Sequence, residues 1–83
     1  MLKKIEGQAV KKMVVSYNKL WKKLIDKKMN KTELRARAGI GTTTLAKLSK
    51  DQPVSTTALM KICAVLDCDV GDIMEILKTE KTL

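Results

Sequence analysis

The sequence predicts an all-α domain of five helices, preceded by a basic N-terminal extension. Three observations predict it. Apolar residues recur at helical spacing from Tyr17 to Leu77. Aromatic residues are nearly absent, with Tyr17 and Trp21 the only two, so Leu, Ile, Val, Met and Ala must build the core. One proline and four glycines are too few for a turn-rich β fold. With 83 residues the chain makes one domain with a small core, which dimerisation would help to stabilise. Residues 1–14 read as an extension or arm, 15–77 as the domain, and 78–83 as a polar, flexible tail.

Each element follows from its own signals. In residues 1–13, Leu2, Ile5, Ala9, Val10 and Met13 form a loose helical stripe that Gly7 weakens. A short helix, a frayed arm and an added or alternative-start extension all fit it. Its thin apolar stripe argues against a membrane surface. Val14 and Val15 are a brief β-prone run. Ser16 is a suitable N-cap for a first helix over Tyr17 to Lys28, with Leu20, Trp21, Leu24 and Ile25 on its apolar face. Asn30 caps the second helix, and Glu33 three residues on completes a capping-box pattern. Leu34 and Ala38 point inward, and Gly39 ends the helix in the left-handed region. Ile40 anchors the turn. The third helix starts near Gly41 or Thr42 and runs to about Ser49, with Leu45 and Leu48 inward. Pro53 breaks the chain before a fourth helix, capped by Ser55 and running to Leu66, that buries Leu59, Ile62, Cys63 and Leu66. Asp69 and Asp72 then start a fifth helix carrying Val70, Ile73, Met74, Ile76 and Leu77. That is more apolar surface than one short helix needs for a monomer core, so part of it is expected at a dimer contact.

The second and third helices, with the tight turn between them, form a helix-turn-helix. Its second helix shows Thr42, Thr43, Thr44 and Lys47 to solvent. Small polar and basic groups on such a face can read base edges in the major groove of DNA. Three consecutive threonines have poor helix propensity, so local stability does not explain them. Thr42, Thr43 and Lys47 are the candidate base readers. Lys31, at the start of the preceding helix, and Lys50 and Gln52, after the reading helix, are candidates for the phosphate backbone. Arg35 either reaches the backbone or pairs with Glu33 or Asp51, and Arg37 faces solvent.

The charge distribution supports this. Residues 1–50 hold fourteen Lys/Arg against three Asp/Glu, a balance of +11, and residues 51–83 hold three against six, a balance of −3. The basic part contains the helix-turn-helix, as a phosphate-facing surface requires. Catalysis has no support: there is no histidine, no glycine-rich phosphate loop and no plausible carboxylate pair. The segment with Asp67, Asp69 and Asp72 is too short for a calcium loop. Cys63 and Cys68 lack a zinc spacing, and reduced thiols in a cytoplasmic setting fit them. No signal peptide is expected. No cofactor, metal or small-molecule ligand is implied.

The segments Met29-Asn30-Lys31-Thr32-Glu33-Leu34, Ala38-Gly39-Ile40, Thr44-Leu45-Ala46-Lys47-Leu48 and Leu66-Asp67-Cys68-Asp69-Val70 resemble the Cro/CI phage-repressor-like helix-turn-helix family, also called XRE. The resemblance covers about Val15 to Leu77 and is closest to short stand-alone members. It implies a five-helix DNA-binding domain that grips palindromic operators as a dimer, its recognition helices in major grooves about 34 Å apart. It places Thr42, Thr43 and Lys47 at base-reading positions, and Thr44 and Lys31 at backbone or base-flanking ones. Three departures matter: Gly41 replaces the usual Ser/Thr cap, Arg35 replaces a small alanine, and the recognition helix lacks an Arg or Gln pair. Readout of DNA shape then gains importance. The implied protein is a small bacterial repressor on double-stranded DNA, cytoplasmic and at the nucleoid when bound, dimeric in solution or only on DNA. Two alternatives compete: an antitoxin-like or anti-repressor-like module that binds a protein, and a non-specific nucleic-acid or RNA binder.

Overall fold

The computed structural model describes the backbone of residues 10–81 and the side chains of residues 13–78. The helical, arm and extension readings of residues 1–9 lie outside it. Strand β1 (Val10–Ser16) leads into α1 (Asn18–Asp26), α2 (Lys31–Ala38), α3 (Thr42–Ser49) and α4 (Thr56–Leu66). A 3-10 turn, Val70–Asp72, and strand β2 (Glu75–Lys81) complete the chain. The two strands pair antiparallel, from Val10 opposite Lys81 to Ser16 opposite Glu75.

The expected five helices are therefore four, joined to a small sheet. Asp69 and Asp72 do form the capping box, each side chain accepting the other's backbone N–H, that of Asp69 reaching Asp72 Oδ2 at 3.1 Å; the Val70 N–H also donates to Asp69 Oδ1 at 2.6 Å. The box closes only a single 3-10 turn. The spacing of Val70, Ile73, Met74 and Leu77 suits a helix, but Ile76 and Leu77 also suit a strand when Val14 and Val15 lie opposite. Pairing satisfies the backbone groups of both segments together, which a fifth helix would leave unmet along residues 10–16. β1 thus begins within the stretch read as an extension, and β2 continues through Lys81.

The other ends follow their caps. Asn30 Oδ1 accepts the Glu33 N–H at 2.7 Å, and Ser55 Oγ accepts the Ala58 N–H at 3.1 Å. Gly39 closes α2 at φ 69°, where a Cβ would be strained. Ser16 does not cap α1 as expected. It is buried as the last residue of β1, Tyr17 takes the cap position, and Ser16 Oγ accepts the Asn18 N–H at 3.3 Å.

One core lies beneath all these elements. Leu20, Leu34, Leu48, Ile62, Leu66 and Ile73 are fully buried, with Tyr17 among them. Leu45, Leu59 and Cys63, expected inside, are half-buried. Burial, with Cys68 beside it, raises the Cys63 thiol above its ordinary range, so it packs as a protonated thiol. Ile25 departs from its expected inward place and is 74% exposed, because the core contacts of α1 fall on Leu20 and Leu24. Met13, Met60 and Ile76 are also exposed, by 55%, 66% and 53%. Among the described residues no helix is long and apolar enough to cross a membrane.

Candidate nucleic-acid interface

Helix α3, the second of the helix-turn-helix, is fixed at both ends by backbone geometry. At its start the chain leaves Gly39 in the left-handed region, and buried Ile40 holds the turn in the core. Gly41 occupies the cap with no side-chain bond, so the first-turn N–H groups of α3 have no side-chain acceptor from the cap. At its end the Asp51 N–H donates to the Leu48 carbonyl and the Gln52 N–H to the Lys47 carbonyl at 2.9 Å, with Asp51 at φ 55°. This is a Schellman closure with aspartate where glycine is usual.

Tyr17 explains the aspartate. Its backbone N–H donates to Asp51 Oδ1 at 3.1 Å, and its hydroxyl donates to the Gln52 carbonyl at 2.8 Å. The end of α3 is thereby tied to the junction of β1 and α1. The tyrosine is buried, and burial followed by the nearby Asp51 carboxylate raises its ionisation above the usual tyrosine value. Sequence reasoning missed this tie, because nothing local links residue 17 to residues 51 and 52. A lone tyrosine in an otherwise aliphatic core was the one available signal.

Leu48 is fully buried and Leu45 half-buried, which turns the opposite side of α3 outward. Thr42, Thr43 and Lys47 are exposed there, and Thr44 is half-buried. Lys50 and Gln52 are exposed just beyond the helix. No acidic residue lies between Thr42 and Lys50, so α3 itself carries only the positive charge of Lys47 on this face, with Lys50 and the exposed Asp51 following it.

Lys31, at the first position of α2, is held in a defined place. Its ammonium lies 4.2 Å from the centre of the Trp21 ring on α1 and donates to Ser49 Oγ at the end of α3, at 3.3 Å. Arg37 faces solvent as expected and pairs there with Glu33 at 2.7 Å across one helical turn. Arg35 is half-buried and, among the described residues, makes no ion pair; neither expected partner serves it, since Glu33 takes Arg37 and Asp51 takes Tyr17. No group of three or more possible metal ligands occurs among the described residues.

A short helix packed on a second across a tight turn, with its outer face neutral-polar and basic, defines a helix-turn-helix of the nucleic-acid-binding class. Residues 19–78 match the model of the Cro/C1-type HTH DNA-binding domain, and the chain belongs to that family. Among solved structures it is similar to the crystal structure of the transcriptional regulator VanUg, at 49% identity and a TM-score of 0.78, over 94% of this chain and 100% of that one. No curated protein matched.

Proposed function

We propose that this protein is a sequence-specific transcriptional regulator that represses by occluding a palindromic operator, with α3 in the major groove. The observation that carries this is the division of α3: Leu48 is wholly inside while Thr42, Thr43 and Lys47 stand outside on a helix that holds no acidic residue. The threonine hydroxyls and methyls suit base edges and thymine methyls, and Lys47 suits guanine. Lys31, Thr44, Arg35, Lys50 and Gln52 are assigned to the DNA backbone. Likeness to a solved transcriptional regulator supports the same reading.

A dimer is part of the proposal. Met13 on β1, Leu59 and Met60 on α4, Met74 just before β2 and Ile76 on β2 line two adjoining apolar grooves, one of which reaches Asp51 at the end of α3. A second copy of the chain on that face would bring two α3 helices to one operator. The same face also suits the second reading, a domain that keeps the fold but binds a different protein.

The test is binding of the purified chain to its own upstream DNA and to a scrambled duplex across a salt series. The proposal expects a preference of about a thousandfold or more at physiological salt, with two chains per specific duplex. Lys47→Ala and Thr43→Ala should each cost about 1–3 kcal/mol on the specific duplex only. Equal, steeply salt-sensitive binding to both duplexes, unaffected by either substitution, would leave the protein-binding reading standing instead.

A further inference from the structure

We propose that Trp21 and Ser49 are positioning residues that hold the Lys31 ammonium ready for a DNA phosphate. The inference rests on the DNA-binding reading above, in which Lys31 meets the backbone. A lysine at the end of a helix ordinarily samples many rotamers in water, and ordering it on binding costs conformational entropy. In the structure Lys31 already has two partners. Its Nζ sits over the Trp21 ring at 4.2 Å and donates to Ser49 Oγ at 3.3 Å. Both partners are neutral. Among the described residues no carboxylate pairs with this ammonium, so its positive charge is held in place without being cancelled. An ammonium has three N–H donors. One serves Ser49 and the ring face takes a second direction, leaving a third for an anionic oxygen.

The cradle also joins three elements. Trp21 belongs to α1, Lys31 opens α2 and Ser49 closes α3, so the ammonium's position is set relative to the recognition helix itself. A phosphate seated on Lys31 fixes how α3 lies in the groove. Preordering of this kind strengthens binding by removing a cost rather than by adding a contact. Trp21 is the sole tryptophan of the chain and need not touch DNA to have this effect.

The test is a double-mutant cycle read on a short mixed-sequence DNA duplex, since a phosphate contact does not depend on the operator. Lys31→Ala should weaken binding and take about one unit off the slope of log affinity against log salt. Trp21→Leu should weaken binding about two- to fivefold, the range an exposed cation–π contact spans. Trp21→Phe should restore part of that loss. In the Lys31→Ala background Trp21→Leu should cost nothing further. Ser49→Ala, at an exposed site that threatens the fold less, should show the same dependence on Lys31 with a smaller loss. An equal loss from Trp21→Leu in both backgrounds, or none in either, overturns the proposal while leaving the DNA-binding reading intact. If Lys31→Ala changes neither affinity nor salt slope, the backbone role of Lys31 fails and the cradle's function fails with it.

Discussion

The helix-turn-helix and the sheet are built by different kinds of information. Between Asn30 and Ser49 every boundary is set within a few residues of itself. Asn30 meets the N–H of Glu33, Gly39 takes the left-handed turn, and Ile40 drops into the core. The sheet joins partners 59 to 71 residues apart in the chain, from Ser16–Glu75 to Val10–Lys81. The local part carries the surface assigned to DNA. The non-local part exposes the apolar residues Met13, Val14, Ile76 and Leu77 and, through Tyr17, holds the end of α3 in place. The difference teaches that α3 is shaped by its own sequence but fastened at its end by a distant residue, Tyr17.

If that is right, damage beneath the sheet must reach the helix-turn-helix. Ile73 is fully buried between the 3-10 turn and β2, in the same core as Leu34 and Leu48. Ile73→Ala should cost about 2–5 kcal/mol, the usual range for emptying such a site. Urea unfolding followed by helical circular dichroism and by Tyr17 and Trp21 emission should show one shared transition at a lower midpoint. Two separated transitions would break the comparison, because the helices would then stand without the sheet.

The same contrast explains what could be read from the chain. The cap at Asn30, the turn at Gly39, the cap at Ser55 and the outward Thr42 and Thr43 of α3 are local patterns and were legible, whereas Thr44, expected beside them, is half-buried. Residues 70–77 were misread because their apolar spacing satisfies a helix and a strand alike. Only the presence of Val14 and Val15 across from them decides it, and periodicity within a window cannot see a partner at the other end of the chain. Ile25 was misplaced for a related reason: a helical stripe says which residues share a face, not how far that face extends under its neighbours. At the site, residue types and their exposure were legible. Their fastenings were not: Tyr17 to Gln52, and Lys31 to Trp21 and Ser49, are tertiary contacts that leave no spacing in the sequence.

A smaller change sharpens the role of the long-range tie. Tyr17→Phe keeps the ring and removes the hydroxyl that donates to the Gln52 carbonyl, for an expected loss of about 1 kcal/mol. It also predicts a pH effect. Burial and Asp51 raise the folded ionisation of Tyr17 above its ordinary value of 10.0. A raised value means that the folded state holds the proton more tightly than the unfolded chain does. The stabilisation is therefore complete below about pH 10 and is lost as pH rises through the folded value. The wild-type chain should lose stability across that window faster than Tyr17→Phe, measured as the difference in urea midpoint between the two at rising pH. Parallel curves would mean that the phenol is as free in the folded protein as in the unfolded one.

The smallest expected effect lies in the local region and concerns what its charges do. Arg37 and Glu33 form a close pair across one turn of α2, but the arginine is well exposed and the glutamate partly so. Water screens such a pair and both side chains must be ordered to form it, so Arg37→Ala should cost only about 0.2–0.5 kcal/mol, shrinking as salt is added. The Asn30 bond to the Glu33 N–H does not involve the arginine and should keep the start of α2 in place. If the helix-turn-helix is fixed by caps and core rather than by its surface charges, the urea midpoint will barely move. The arginine's charge will then show itself only as a modest change in DNA affinity at low salt. A loss above 1 kcal/mol that persists at high salt would place this ion pair among the supports of the motif, alongside Asn30 and Gly39.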